Sequence, residues 1–526
     1  MEEVTKLFQS LMNDIYSVTI DNNTINYISS LAIIFKEYLK INNMNYQNLI
    51  TIIVGGAPAD VLHAYYHNQK INIKDVDIAT NMLPNDIEKS ITWFFQLSES
   101  DKQKMGLKYI SFHLLEKINL NSKVNGTINI YIDNDSIPES MRKLEITTFR
   151  KESGQRGKHE IIPVGMEKNY LDAIIIDIER RDLTIGTVFC SINTNEISNF
   201  KCKFFDELIE NPIIQNVLND TKNGIVRFMG NPYERIYEDG IRILRFIRKS
   251  GKTGYKPYLP NFDICLQMLQ GLHEPFNINI NDETYQLKPV SKERILHIND
   301  GELIKMFKLN DCVKLFQFIY ERSKKMELEN LHYLYLPKKP NFSYIKNTIW
   351  FDNNNPYVRI ISLYINTDFE NEESYYQNMD MGLKMLKDVD FSVFGDNQVV
   401  MMFSLAILNT SLFNPDFNSE HFPYLFAGNI DKYISKLQKH MNYDKMNKVL
   451  NNLIKYIDYL PILFSWSDLE TTNFIEKFMR VVTDIKELRK SVFLNPNIQK
   501  KHKKITFENI KEKYINNIIT NIEISL

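Results

Sequence analysis

The chain has 526 residues, a formal net charge of −2, 44% hydrophobic and 24% charged residues. This is an ordinary globular composition with length for about three or four domains, and it carries no global basic signature of nucleic-acid binding. No apolar run reaches the roughly 18 residues of a membrane span, and the four scattered cysteines (Cys190, Cys202, Cys265, Cys312) lack the spacing of a zinc site or disulfide framework.

The opening MEEVTKLFQSLMND is acidic and has neither an apolar signal core nor an arginine-rich transit pattern, so a cytoplasmic chain is expected. The abundance of Asn, Ile and Lys reads as coding bias and carries no function. Residues 1–45 read as helical, with SSLAIIFKEYL near the helical period. NLITIIV (Asn48–Val54) is apolar and β-branched, hence a buried strand, and it ends on Gly55–Gly56. APADVLHAYYH then reads as a helix, KDVDIAT as a strand, and Leu83–Phe95 as a helix with Pro84 in its first turn. Further strands are expected in Gly106–Leu115, Thr127–Ile132 and Lys143–Phe149. The sum is an α+β head with a mixed sheet of five strands. After about residue 165 the pattern is mostly helical, with breaks at 249–260, 337–342, 352–356 and 368–373. No internal repeat is present. The expected organisation is a helical segment at 1–45, a head at 46–160, and helical segments at 161–255, 256–345 and 346–526.

Asp75 and Asp77 lie two apart, so on a strand both carboxylates project from one face. Magnesium takes such oxygen donors together with substrate phosphates. A strand, a Gly55–Gly56 turn and a helix N-terminus offer N–H groups and a positive dipole end to a triphosphate. Glu145 in LEITTFR adds a third carboxylate on a strand. ERRDLTI sets Arg181 and Asp182 side by side: guanidinium for phosphate, carboxylate for a ribose hydroxyl. ERIYEDGIRILRF places Glu238, Asp239, Arg242 and Arg245 on one predicted helix, with Asp239 and Arg242 on a common face. VSKERI opens another helix. Together and in this order, these elements point to metal-dependent phosphoryl transfer.

The series resembles the class II nucleotidyltransferases, which comprise tRNA CCA-adding enzymes and bacterial-type poly(A) polymerases. The family's GGxxRD is matched by GGAPAD, DxDIAT by DVDIAT, and carboxylate-TTFR by EITTFR. RRDxTINA is matched by RRDLTIGT, IRFxGxPxxR by VRFMGNPYER, and EDxxRxLR by EDGIRILR. The resemblance covers about residues 50 to 310. It implies a polymerase-β-like head at 46–160, a nucleobase-reading neck at 161–255, a body at 256–345 and an RNA-binding tail at 346–526. It further implies two Mg²⁺ ions on Asp75 and Asp77 with Glu145 as a catalytic partner, ATP and CTP as substrates, and an RNA 3′ end, that of tRNA, as the acceptor. Gly55, Gly56, Arg181, Asp182, Glu238, Asp239, Arg242 and Arg245 would bind the nucleotide. An aspartate beside an arginine complements the donor–acceptor edge shared by cytosine and adenine and mismatches that of uracil and guanine.

Three departures stand out: Ala59 for the arginine of GGxxRD, Gly186 for the asparagine after RRDxTI, and Gly240 for proline in EDPxR. GLKYISFHLL and VSKERI favour CCA addition, while GNPYER leans towards poly(A) addition, the alternative activity. A second alternative is an inactive RNA-binding relative. Plainer readings compete at each position. The Asp75–Asp77 pair alone fits a solvated turn, Glu145 fits an ion pair with Arg150, and Asp239 with Arg242 fits a helical salt bridge. Arg245 and Arg248 either meet RNA phosphates or line a wet helix face, and Arg294 is either a substrate contact or half of a capping pair. Lys500, Lys501, Lys503 and Lys504 either track RNA or form a solvated charge run. His63, His67 and His113 read as structural.

Overall fold

The computed structural model describes residues 22–67, 76–107, 109–114, 126–135, 139–152, 161–191, 211–297 and 301–336, with isolated positions at 137, 208, 340, 342 and 359. Two compact units divide the chain, 1–290 and 291–526. The first begins, among the described residues, with helix α1 (Asn22–Ile41). Strand β1 (Thr51–Val54) is buried at every position, as its β-branched run requires, and leads through Gly55 into α2 (Gly56–Tyr66). Then follow β2 (Asp77–Thr80), α3 (Pro84–Gln96), β3 (Phe112–Leu114), β4 (Thr127–Ile132) and β5 (Lys143–Thr148). These are the five expected strands. A two-residue strand, β6 (Cys190–Ser191), pairs with β1 and makes a sixth.

The sheet order is β3-β4-β5-β2-β1-β6. Only β2 and β5 run parallel, so the sheet is mixed with its parallel pair at the centre. Alternation in β4 and β5 buries Ile128, Ile130, Ile132, Leu144 and Ile146 and leaves the other face wetter. The buried side packs with α1 and α3 through Ile28, Leu31, Phe35, Ile87, Ile91 and Phe94. Several polar groups inside this core are matched. Thr80 Oγ1 donates to the Ile50 carbonyl at 2.6 Å, Asn81 Oδ1 accepts from Ile50 N at 2.9 Å, and Thr148 Oγ1 donates to the Met82 carbonyl at 2.8 Å. The threonines of DIAT and EITTFR thus brace the sheet end behind the carboxylates.

Beyond the sheet come α4 (Tyr170–Glu179), α5 (Pro212–Asn223), α6 (Pro232–Glu238) and α7 (Arg242–Ser250). The stretch expected to be helical after residue 256 contains a hairpin instead, Phe276–Ile280 paired with Glu283–Leu287. Asn281 and Asp282 both take positive φ (51° and 66°), the requirement of a tight two-residue turn, and alternation buries Ile278 and Ile280. In the second unit the described helices include Glu302–Phe307 and Cys312–Lys325, and the buried Arg359 Nη1 donates to the carbonyls of Phe307 and Leu309. Among the described residues no helix is long and apolar enough to cross a membrane, and Cys265 and Cys312 are free and buried.

Candidate active site

Asp77 opens β2 against the Gly55 turn. Gly55 has φ +83°, and a Cβ there would stand 2.7 Å from Asp77 Oδ2. Conformation and contact both demand glycine. A Cβ at Gly56 would meet nothing within 4 Å among the described residues, which leaves the start of α2 approachable. Across the sheet, Asp77 is in register with Val54 on β1 and Glu145 on β5, and Glu145 with Asn129 on β4. Registered neighbours share a face. Asp77, Glu145 and Asn129 therefore form one polar row over three strands, with Asp77 half-buried and Glu145 exposed.

Asp75 lies outside the described residues, and among the described residues no three metal-binding side chains converge. Asp77 and Glu145 still supply two hard oxygen donors beside an open helix start, which suits magnesium accompanied by substrate phosphates.

The RRD loop is organised by a residue the motif reading passed over. Asp177, only 3% exposed, accepts from Arg180 through Oδ1 (2.6 and 2.8 Å) and from Arg181 through Oδ2 (2.8 and 3.0 Å), and its Oδ1 also takes the Arg150 N–H at 3.1 Å. Burial raises its pKa, but Arg181 and Arg180 outweigh that and hold it below the usual carboxylate range. Arg181 Nη1 also donates to the Gly186 carbonyl at 3.2 Å. A Cβ at Gly186 would meet nothing within 4 Å among the described residues, so contact with neighbours does not require glycine there. The signal for Asp177 was present: it lies three and four residues before Arg180 and Arg181, the spacing of helical ion pairs.

Asp182 pairs with Arg245 at 2.6 Å. Burial pushes its pKa up, and Arg245 with Arg242 brings it below the ordinary value. Glu238, Asp239 and Arg242 do not share a helix as expected. The chain breaks between α6 and α7, with Asp239 extended (φ −156°, ψ 108°) and its Oδ1 accepting from Ile241 N at 3.3 Å. A Cβ on Gly240 would stand 3.0 Å from Val290 Cγ2, so the bend is pressed against the end of this unit. Arg242 pairs with Glu238, which also holds Arg235 at 2.7 Å. Burial raises the Glu238 pKa despite both arginines. Arg235, another residue missed as a site member, donates from Nη1 to the Arg180 carbonyl at 3.1 Å and so fastens α6 to the RRD loop.

Asp60 on α2 pairs with Lys252 and accepts from Tyr255 Oη at 3.3 Å. Beside them His63 stacks between His67 and Tyr255 (ring centroids 4.2 and 4.4 Å) and donates from Nε2 to the Gly254 carbonyl at 2.9 Å. Burial lowers the His63 pKa against the pull of that carbonyl. These contacts tie α2 to the turn after α7. Of the expected RNA contacts, Arg248 lies on α7, Arg294 is exposed in the second unit on Lys292–Leu296, and Lys500, Lys501, Lys503 and Lys504 lie outside the described residues.

No protein-family model matches the chain. Over 270 residues it is 27% identical to the mitochondrial CCA tRNA nucleotidyltransferase 1 of Danio rerio, covering 51% of this chain and 46% of that one. The Homo sapiens enzyme of the same name matches with the same figures. This chain is similar to the CCA-adding nucleotidyltransferases. A third relative, the CCA-adding enzyme of Ligilactobacillus salivarius, is 34% identical over 119 residues, or 23% of this chain and 25% of its own. The chain thus spans about half the length of the first curated relatives it matches. Among solved structures, a tRNA nucleotidyltransferase complexed with a primer tRNA and an incoming ATP analog aligns at TM-score 0.42 and 15% identity, over 85% of this chain and 99% of that one. A CCA-adding enzyme in apo form II aligns at TM-score 0.42 and 16% identity, over 98% and 99%.

Proposed function

We propose that the chain is a template-independent nucleotidyltransferase that adds CCA to tRNA 3′ ends from CTP and ATP. The observation that carries this reading is the registered row of Asp77 and Glu145 beside the Gly55–Gly56 helix start. Relatives named CCA tRNA nucleotidyltransferase 1 support tRNA as the substrate. In the reaction the RNA 3′ oxygen bonds to the α-phosphorus and pyrophosphate leaves. Asp77 and Glu145, with Asp75, would hold Mg²⁺, which when bound neutralises phosphate charge and favours the attacking oxygen. The α2 N-terminus receives phosphate oxygens at its N–H groups. Asp182 is kept ionised by Arg245 and so accepts from a ribose hydroxyl. Arg242 and Asp239, on either side of the bend, offer donor and acceptor to the cytosine or adenine edge, and Glu238 holds Arg242 in place between substrates. Uracil and guanine would leave both groups unsatisfied.

The deciding experiment offers the purified protein a tRNA lacking its 3′ end, and separately an unstructured RNA, with Mg²⁺ and one labelled nucleotide at a time. CMP addition followed by a single AMP on the tRNA is expected. Long AMP runs on either RNA would assign poly(A) addition instead, and RNA binding without labelled product would mark an inactive relative. Equal use of UMP or GMP would contradict the base-reading pair.

A further inference from the structure

Four cations lie along one side of α7 and the turn that follows it: Arg242, Arg245, Lys249 and Lys252. Three have carboxylate partners, Arg242 with Glu238 (which Arg235 shares), Arg245 with Asp182 and Lys252 with Asp60. Lys249 has no hydrogen-bond or ion-pair partner among the described residues. Arg242, Arg245 and Lys249 recur at i, i+3 and i+7, one face of the helix. That face meets the RRD loop through Asp182, and the next turn meets α2 through Asp60. Along that side Lys249 falls between Arg245 and Lys252, and so between the contacts to Asp182 and Asp60. Burial and the neighbouring Arg248 and Lys252 push its pKa below the usual lysine range. A partly buried cation without its own counter-ion is unfavourable until an anion arrives.

We propose that Lys249, from α7, binds the triphosphate of the incoming nucleotide. This rests on the nucleotidyltransferase reading above. The test titrates ATP, AMP and inorganic tripolyphosphate into the full-length protein and its Lys249→Met and Lys249→Arg variants, with thermal melts of each. Lys249→Met is expected to lose about tenfold in affinity for ATP and tripolyphosphate alike, the effect of one charge-assisted contact, and little for AMP. Lys249→Arg keeps most of the affinity. The melting temperature of Lys249→Met does not fall, because no ion pair is lost. Unchanged ATP affinity in Lys249→Met beside a binding wild type overturns the assignment alone. An equal loss for AMP together with a lower melting temperature also overturns it, since that marks a structural lysine. A wild type that binds neither ATP nor tripolyphosphate overturns the nucleotidyltransferase reading, and the lysine's role with it.

Discussion

Replacing Asp77 with asparagine is expected to lower nucleotide transfer about a thousandfold while leaving the melting temperature nearly unchanged. A ligand charge facing the reacting phosphate contributes several kcal/mol to the transition state, and about 4 kcal/mol corresponds to three powers of ten. The sheet around it is held by backbone pairing. Asp77 is half-buried at the start of β2, asparagine keeps its shape against Gly55, and the strand bonds of β2 are untouched. Single-turnover incorporation of labelled nucleotide beside a thermal melt separates the two effects. Activity within tenfold of wild type would remove Asp77 from the reaction.

Asp177→Ala has the opposite signature. It strands Arg180 and Arg181, both largely buried, and removes the acceptor of the Arg150 N–H. Breaking a buried ion pair from one side costs about 3–5 kcal/mol. The RRD loop loses its anchor, so activity falls as a consequence of stability. The pH dependence follows from the depressed carboxyl. Its stabilisation is complete above the unfolded value, near the ordinary 3.8, and fades as the pH falls through the lower folded value. Urea melts from about pH 7 down to about pH 3 should show the wild type losing this component at the acid end, and Asp177→Ala lacking it throughout. A loss under about 1 kcal/mol at neutral pH would mean that the pairs are cheaply replaced by water.

Local pattern made much of the site legible. LEITTFR placed Glu145 on a strand, and the Gly55–Gly56 pair marked the turn into α2. What it lacked was pairing. That β2 runs parallel to β5 with Asp77 opposite Glu145 depends on two segments 68 residues apart (145 minus 77), and no local signal encodes it. The same limit hid the break at Asp239. EDGIRILRF is compatible with one helix, and the bend is pressed by Val290 and Lys288, fifty and forty-eight residues beyond Gly240 (290 and 288 minus 240). The hairpin at 276–287 was legible in principle, since FNINI alternates and Asn-Asp suits a two-residue turn, but a helical surrounding masked it. Asp177 sits in an otherwise apolar helical run, where a carboxylate reads as a surface residue until its two arginines are counted. The departures at Ala59 and Gly186 were visible at once, and the structure adds that one is buried and the other faces open space.

The claim on which the rest stands is that phosphate chemistry occurs at the central strand pair that carries Asp77 and Glu145, beside the Gly55 turn. Iron substituted for magnesium tests it directly, because hydroxyl radicals made at a bound iron cut the nearest backbone. With Fe²⁺, ascorbate and ATP, cleavage is expected close to Gly55, Asp77 and Glu145, is competed by Mg²⁺, and is lost in Asp77→Asn. Cuts clustered elsewhere in the chain, or cuts at these positions that persist in Asp77→Asn, would contradict it.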